Sequence, residues 1–139
     1  AATHITSFLY EQLIKGNLKF KRSYPKIITW HDPCHIGRHA GIFNEPRKIL
    51  QAIPDVKYVE LKKSKKLSKC CGAGGGLKGA YPDLALKIAI ARLKEIEKAG
   101  VAVLVTSCPF CLINFNDAAR NIESKLEIKD LAELVAELI

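Results

Sequence analysis

The sequence contains no methionine and no long apolar segment. None of its uninterrupted apolar runs approaches the roughly 18 residues that a membrane-spanning helix requires, so we expect neither a membrane span nor a signal peptide. The chain begins with alanine instead of methionine, and we therefore expect it to be part of a longer protein. Its 139 residues have the size of one domain, which we take to comprise residues 1–139.

Acidic residues are fewer than basic ones, and the net charge is +8. Much of the excess lies between Lys57 and Lys69, where six lysines accompany a single glutamate. No aromatic residue is interspersed among the lysines of 62–69, and no recognition helix accompanies them, so the sequence favours a solvated loop over a nucleic-acid interface. A lesser hypothesis is that this loop attracts an acidic electron-transfer partner or an anionic substrate.

The five cysteines are an odd number, which does not fit a complete disulfide framework. Reduced thiols, and hence a cytoplasmic location, are expected instead. The cysteines form three groups: Cys34, the pair Cys70 and Cys71, and the Cys-x-x-Cys motif of Cys108 and Cys111. Thiolates are soft ligands that select zinc, copper(I) or iron with sulfide over magnesium and calcium. The pattern therefore indicates one metal-binding site.

Strand and helix signals alternate along the chain. The apolar and turn patterns predict strands at 26–30, 56–61, 101–106 and 126–128. They predict helices at 3–15, 44–53 and 82–99, a helix that begins at Pro109, and a final helix after Asp130. This order predicts an α/β fold of three layers, with a mostly parallel sheet and helices on both faces. Because parallel strands end at the same edge, we expect the three cysteine loops to meet at the C-terminal edge of the strands.

Three kinds of thiol chemistry remain open at this point. Structural zinc usually takes two closely spaced ligand pairs, and the adjacent Cys70 and Cys71 do not easily reach one small ion. An iron–sulfur cluster is several ångströms across and offers neighbouring thiolates different iron atoms. A dithiol at the start of a helix, with Cys108 as its N-cap and Pro109 at the first helical position, would leave three cysteines unused.

Three segments carry a resemblance to a known family. They are WHDPCHIGR at 30–38, CCGAGGG at 70–76 and SCPFC at 107–111. Together, over about residues 25 to 125, they resemble the cysteine-rich CCG domain of the heterodisulfide reductases of methanogens and sulfate reducers. The first segment is most similar to the C-terminal CCG domain of the D-type subunit, which is the disulfide-reducing iron–sulfur subunit. Similar domains occur in glycolate and lactate oxidation systems and in some succinate and fumarate enzymes.

The resemblance implies a [4Fe-4S] cluster, of a non-cubane type in the disulfide-reducing members. Its ligands would be the five cysteines, and it would reduce a disulfide of the CoM-S-S-CoB kind by one-electron steps. The alternatives are a zinc-binding structural or subunit-interaction module and an iron–sulfur subunit of a glycolate or lactate oxidase-type system. Family members usually hold two CCG motifs, so a single domain is expected to be incomplete without further parts.

The partners that the resemblance implies are subunits or domains of a redox complex. They are a second CCG domain, a ferredoxin-like domain and a cytochrome or flavin subunit, and the substrate is a disulfide. Neither a nucleic acid nor direct insertion into a membrane is expected. A cytoplasmic protein that is peripheral to the membrane through a partner subunit fits this set.

Several other residues near the cysteines are candidates for the site. His35 and Arg38 are predicted catalytic residues, because histidine transfers protons near neutral pH and arginine binds anionic groups. His31 and Asp32 are expected instead to order the loop through hydrogen bonds. Gly72 and Gly74, with the two glycines that follow, are expected to adopt positive φ and bring backbone N–H groups close to the cluster.

Overall fold

The computed structural model describes residues 2–139, and its centre is a sheet in which every strand is parallel. The strands are β1 (Ile27–Trp30), β2 (Lys57–Tyr58), β3 (Val103–Thr106) and β4 (Glu127–Asp130). They lie in the order β2-β1-β3-β4. Ile28 pairs with Tyr58 on one side and Val103 on the other, and Leu104 pairs with Ile128. The predicted α/β fold with a parallel sheet is confirmed.

Six α-helices connect and flank the strands within residues 2–139. They are α1 (Ile5–Ile14), α2 (Asn44–Gln51), α3 (Leu77–Ala80), α4 (Pro82–Glu97), α5 (Pro109–Asn121) and α6 (Leu131–Leu138). Proline at the first position begins both α4 and α5, as predicted, because its missing N–H would have no partner there. Asp130 caps α6 by accepting a hydrogen bond from the N–H of Ala132 at 2.8 Å.

The helices cover both faces of the sheet, which confirms the three-layer arrangement. On one face, α1, α2 and α6 pack around the side chains of Ile28, Trp30, Val103 and Val105. On the other face, Leu104 packs with α4 and α5. All residues of β3 are buried, as expected for a central strand covered on both faces.

Strand β2 is shorter than the predicted segment 56–61. The ladder with β1 continues to Val59, whose N–H donates to the carbonyl of Ile28 at 2.9 Å. The Val59 carbonyl then accepts a hydrogen bond from the Thr29 hydroxyl at 2.6 Å instead of a main-chain N–H. This side-chain donor ends the ladder. Strand β4 is longer than predicted, because Asp130 still pairs with Thr106.

Helix α1 buries less of its apolar stripe than its sequence predicts. Leu9 and Leu13 pack against the core, whereas Ile5 and Phe8 remain 42% and 47% exposed. The helix packs mainly against α2 and also against α6, and its apolar stripe is only partly covered.

Three short elements in the cysteine loops have no counterpart in the prediction. One turn of π-helix at His35–His39 follows Cys34, and a 3₁₀ turn at Lys65–Leu67 precedes the cysteine pair. Helix α3 follows the glycines after that pair. Within residues 2–139, no helix combines the length and the apolar character needed to cross a bilayer.

Candidate metal centre

The sheet gathers the three cysteine loops at one edge. Cys34 follows β1, the pair Cys70 and Cys71 lies in the connection after β2, and Cys108 follows β3 as the N-cap of α5. Because β1 lies between β2 and β3, the connections leaving β1 and β3 run in opposite directions across the sheet. Such a switch point opens a crevice at the carboxyl ends of the strands. The expected convergence of the cysteine loops is therefore present.

The five thiols are all free, and they form a row of neighbours. Cys70 lies close enough to Cys71, Cys71 to Cys111, and Cys111 to Cys108 for each pair of thiols to affect one another's ionisation. Cys34 lies near enough to Cys70 to affect its ionisation. Cys71 and Cys111 are buried, Cys34 and Cys108 are partly buried, and Cys70 is exposed.

These contacts favour ionised sulfur at two positions. Hydrogen bonds with the thiols of Cys111 and Cys70 lower the pKa of Cys71 well below its usual value. A hydrogen bond with Cys111 also lowers the pKa of Cys108 to about 6, against burial, and the N–H groups of Cys111 and Phe110 add to the effect. Hydrogen bonds with Cys108 and Cys71 correspondingly raise the pKa of Cys111. Since the thiolate is the form that binds metals, the row is prepared for ligation.

His31 lies buried beside this row. Its ring meets that of Phe115 edge to face, with 4.8 Å between the ring centroids. Burial lowers its pKa to about 4, so the ring is neutral at pH 7. Its Nδ1 has no hydrogen-bond partner within residues 2–139. The expected ordering of the loop comes from the main chain instead, because the His31 N–H donates to the carbonyl of Val105 at 2.9 Å.

Asp32 does order the loop, as expected, through a buried ion pair that sequence analysis missed. Both of its carboxylate oxygens accept hydrogen bonds from Arg47, each at 2.8 Å. They also accept from the Trp30 indole N–H at 3.1 Å and the Lys65 main-chain N–H at 2.6 Å. Arg47 donates further to both oxygens of Glu60, at 2.7 and 2.8 Å. This cluster joins the loop after β1 to α2 and to the chain that follows β2.

The loop of the cysteine pair is held by a second residue that sequence analysis missed. Asn114, fully buried on α5, donates from Nδ2 to the carbonyl of Cys71 at 2.7 Å and to that of Ala85 at 3.0 Å. Its signal in the sequence is a polar residue on the apolar stripe of Cys111 and Phe115. The amide thus fixes Cys71 against both α4 and α5.

The glycines of this loop have different roles. Gly72 has a φ of +88°, and a Cβ there would lie 2.8 Å from the Ala85 carbonyl oxygen and from Ile88 Cβ. It therefore permits close packing on α4. Gly75 and Gly76 also have positive φ, as expected. The expectation of a positive φ is wrong for Gly74, where a Cβ would also meet no atom within 4 Å.

The two predicted catalytic residues lie on the π-helical turn that begins directly after Cys34. His35 and Arg38 are both exposed there. The ring of His35 lies 5.3 Å from that of His39, measured between centroids. The structure thus places both residues beside the first cysteine and accessible from solvent, and their catalytic role stays a prediction.

The model of the cysteine-rich CCG domain family matches residues 28–116, which include all five cysteines. The chain belongs to this family. It is 43% identical to the D-type subunit of the dihydromethanophenazine:CoB–CoM heterodisulfide reductase of Methanosarcina acetivorans, over 98% of this chain and 33% of that protein. The probable iron-sulfur-binding oxidoreductase FadF of Bacillus subtilis is 34% identical, over 98% of this chain and 20% of that protein.

The B-type subunit of the fumarate reductase (CoM/CoB) of Methanothermobacter marburgensis is also similar. Its identity is 37%, over 82% of this chain and 22% of that protein. The CCG domain described here thus spans about a third of the length of the heterodisulfide reductase subunits that it matches, and less of the other two.

Proposed function

We propose that this chain is an iron–sulfur domain of a heterodisulfide reductase-like oxidoreductase, in which the cysteines bind a [4Fe-4S] cluster. The observation that carries the proposal is the row of five free thiols at the switch point of a CCG-family domain. The relatives support it, because they include iron–sulfur oxidoreductases and heterodisulfide reductase subunits.

The donor set fits a cluster on two physical grounds. Within residues 2–139, no three Cys, His, Asp or Glu side chains meet closely enough to hold a single metal ion. A row of thiolates suits a group with several metal atoms, each bound by a different sulfur, better than one tetrahedral zinc. In addition, the unpartnered Nδ1 of His31 lies buried beside the row, where an inorganic sulfide would supply an acceptor.

The proposed reaction is the reduction of a disulfide to two thiols. The S–S bond takes up two electrons and two protons in this reaction. When bound, the cluster supplies the electrons one at a time. Cys70 is the exposed thiol of the row, and we place the approaching disulfide on its side. His35, exposed beside Cys34, would deliver a proton to a departing thiolate, and Arg38 would bind an anionic group of the substrate.

We also propose that the domain acts as part of a larger redox complex in the cytoplasm. The relatives are about three times as long as this chain or longer, and several are subunits by name. A second CCG domain, a ferredoxin-like domain and a cytochrome or flavin subunit would supply the missing electron path and the other wall of the substrate site.

The test is metal and sulfide analysis with EPR on anaerobically reconstituted protein. We expect about four iron and four sulfide per chain. Cys70→Ser and Cys71→Ser should each lower the iron content and change the EPR spectrum, because both sulfurs are proposed ligands. Lys69→Gln, beside the pair on the surface, should change neither. A colourless anaerobic protein that carries stoichiometric zinc and takes up no iron would overturn the proposal.

A further inference from the structure

A groove of about 500 Å³ lies beside the chain that directly follows β2. It lies between the chain at residues 59–63, which continues β2, and the C-terminal half of α4. Val59, Leu61 and Ala99 contribute apolar surface to its lining, and charged side chains supply most of the remainder. None of the cysteines lines this groove, so it is separate from the candidate metal centre.

The main chain at this edge has N–H and C=O groups that do not pair with another strand. The N–H groups of Lys57 and Val59 donate to the carbonyls of Lys26 and Ile28, at 3.1 and 2.9 Å. Alternate residues of a strand direct their main-chain groups to opposite sides, so those of Tyr58 and Glu60 lie on the side away from β1. β2 is the outermost strand within residues 2–139, and this side therefore offers free N–H and C=O groups.

The groove also has an excess of positive charge. Its two acidic residues already have basic partners, since Glu60 is bound by Arg47 and Glu95 by Lys69 and Arg92. Lys62, Lys63 and Lys98 are exposed in the groove and form no salt bridge within the described chain. An occupant with negative charge would complement them.

We propose that this groove binds an extended acidic segment of a partner protein, which adds to the sheet as a strand beside β2. Its main chain would pair with that of Tyr58 and Glu60, and its carboxylates would lie near Lys62, Lys63 and Lys98. In strand addition of this kind, main-chain hydrogen bonds supply affinity and the side chains supply selectivity. The interaction does not require the proposed cluster.

A synthetic peptide of ten residues, with glutamate and valine alternating, serves as the probe. Titration into the whole chain at low salt should give saturable binding, measured by calorimetry. At saturation, hydrogen exchange at the Tyr58 and Glu60 amides should slow by at least tenfold, and binding should weaken as salt is raised. Absence of binding, or binding without this protection, would overturn the proposal.

Two matched comparisons separate charge from strand pairing. Lys62→Glu with Lys63→Glu should weaken binding at least tenfold, whereas Lys19→Glu with Lys21→Glu, an equal charge change away from the groove, should alter it less than twofold. A peptide with the same side chains but N-methylated at every residue should not bind, because it has no main-chain N–H group to donate along either edge. Equal binding of the methylated peptide would overturn strand addition.

A different outcome would show that the lysines only protect the edge. If the double lysine variant self-associates while the wild-type chain does not bind the peptide, the proposal is overturned. Iron and sulfide contents of the same samples report separately on the cluster, so failure of one proposal does not affect the other.

Discussion

Two buried polar clusters lie at the carboxyl edge of the sheet, and they differ in whether their hydrogen bonds are complete. In the first cluster, all three guanidinium nitrogens of Arg47 donate hydrogen bonds to the carboxylates of Asp32 and Glu60. Around His31, the ring nitrogen Nδ1 has no partner in the described chain, and the neighbouring thiols contact chiefly one another.

This difference distinguishes buried polar groups that stabilise the fold from buried polar groups that belong to the candidate site. An unpaired buried polar group costs about 1–3 kcal/mol, so native proteins pair most of them. The Arg47 cluster meets that requirement with residues of the fold alone. The His31 side does not, although the neighbouring loop of Cys71 is held by Asn114 and by the packing of Gly72 on α4, and this agrees with the cluster proposed there.

The largest expected effect is at the complete cluster. Arg47→Met removes the partner of Asp32, which is only 3% exposed and would keep an uncompensated charge in the core. The free energy of unfolding of the cluster-free protein should fall by about 3–5 kcal/mol, measured by urea denaturation. Lys48→Met, on the exposed side of α2, should change it by less than about 0.5 kcal/mol. A loss below about 1 kcal/mol for Arg47→Met would contradict the structural role of this cluster.

The next largest effect is expected in the main chain of the cysteine-pair loop, beside His31. Gly72→Ala must place a Cβ against Ala85 and Ile88 at a positive φ, and we expect a loss of about 2–4 kcal/mol by urea denaturation. Gly74→Ala is the matched control, since it has open space and ordinary φ, and its effect should stay within about 0.5 kcal/mol. Equal losses at the two positions would show that the loop is not packed on α4 as described.

A somewhat smaller effect is expected at the amide that fixes Cys71. Asn114→Leu leaves the carbonyls of Cys71 and Ala85 without this donor, and the unfolding free energy should fall by about 2–3 kcal/mol. Asn116→Leu on the same helix removes only a hydrogen bond to the Leu112 carbonyl within α5, and it should cost less than about 1 kcal/mol. Thermal or urea unfolding would compare the two, and a reversed order would contradict the assignment.

The smallest effect at neutral pH is expected at His31. His31→Phe removes a polar atom that has no partner, so the free energy of unfolding of the cluster-free protein should change by no more than about 1 kcal/mol at pH 7, with a gain as acceptable as a loss. This is the opposite of the Arg47 result. A loss of several kcal/mol would show that the His31 ring makes a hydrogen bond that completes its side as well.

The free energies of unfolding of the wild type and of His31→Phe should depend differently on pH. The pKa of His31 is lowered by burial from 6.5 to about 4, so between these values the unfolded chain binds a proton that the folded chain does not. Stability of the wild type should therefore fall, relative to His31→Phe, as pH drops from about 6.5 to 4. Urea denaturation of the two proteins at several pH values across this range measures the difference.

Local signals in the sequence were sufficient for the elements that position the cysteines. The buried run of β3, and the prolines at the starts of α4 and α5, are recognised from adjacent residues, and parallel topology then brings the loops together. The π-helical turn was not predictable, because its hydrogen bonds, such as His39 N–H to the Cys34 carbonyl, have no compositional signature.

The tertiary contacts of polar residues were also beyond the sequence. Arg47 has the pattern of an ordinary helical residue, and its bonds to Asp32 and Glu60 depend on how α2 packs beside the sheet. Asn114 had a usable signal in its place on an apolar stripe. Even so, nothing local identifies the carbonyl of Cys71, 43 residues away, as its acceptor.

The unequal burial of the cysteine pair determines what oxidation does to this domain. A sulfinate on exposed Cys70 keeps its charge in water, whereas one on Cys71 places the charge among core side chains such as Leu104 and Phe115. Oxidation of Cys70 by peroxide should thus leave the fold intact, whereas oxidation of Cys71 should unfold the chain. Limited proteolysis of the cluster-free protein after peroxide treatment should show protection in Cys71→Ala and none in Cys70→Ala.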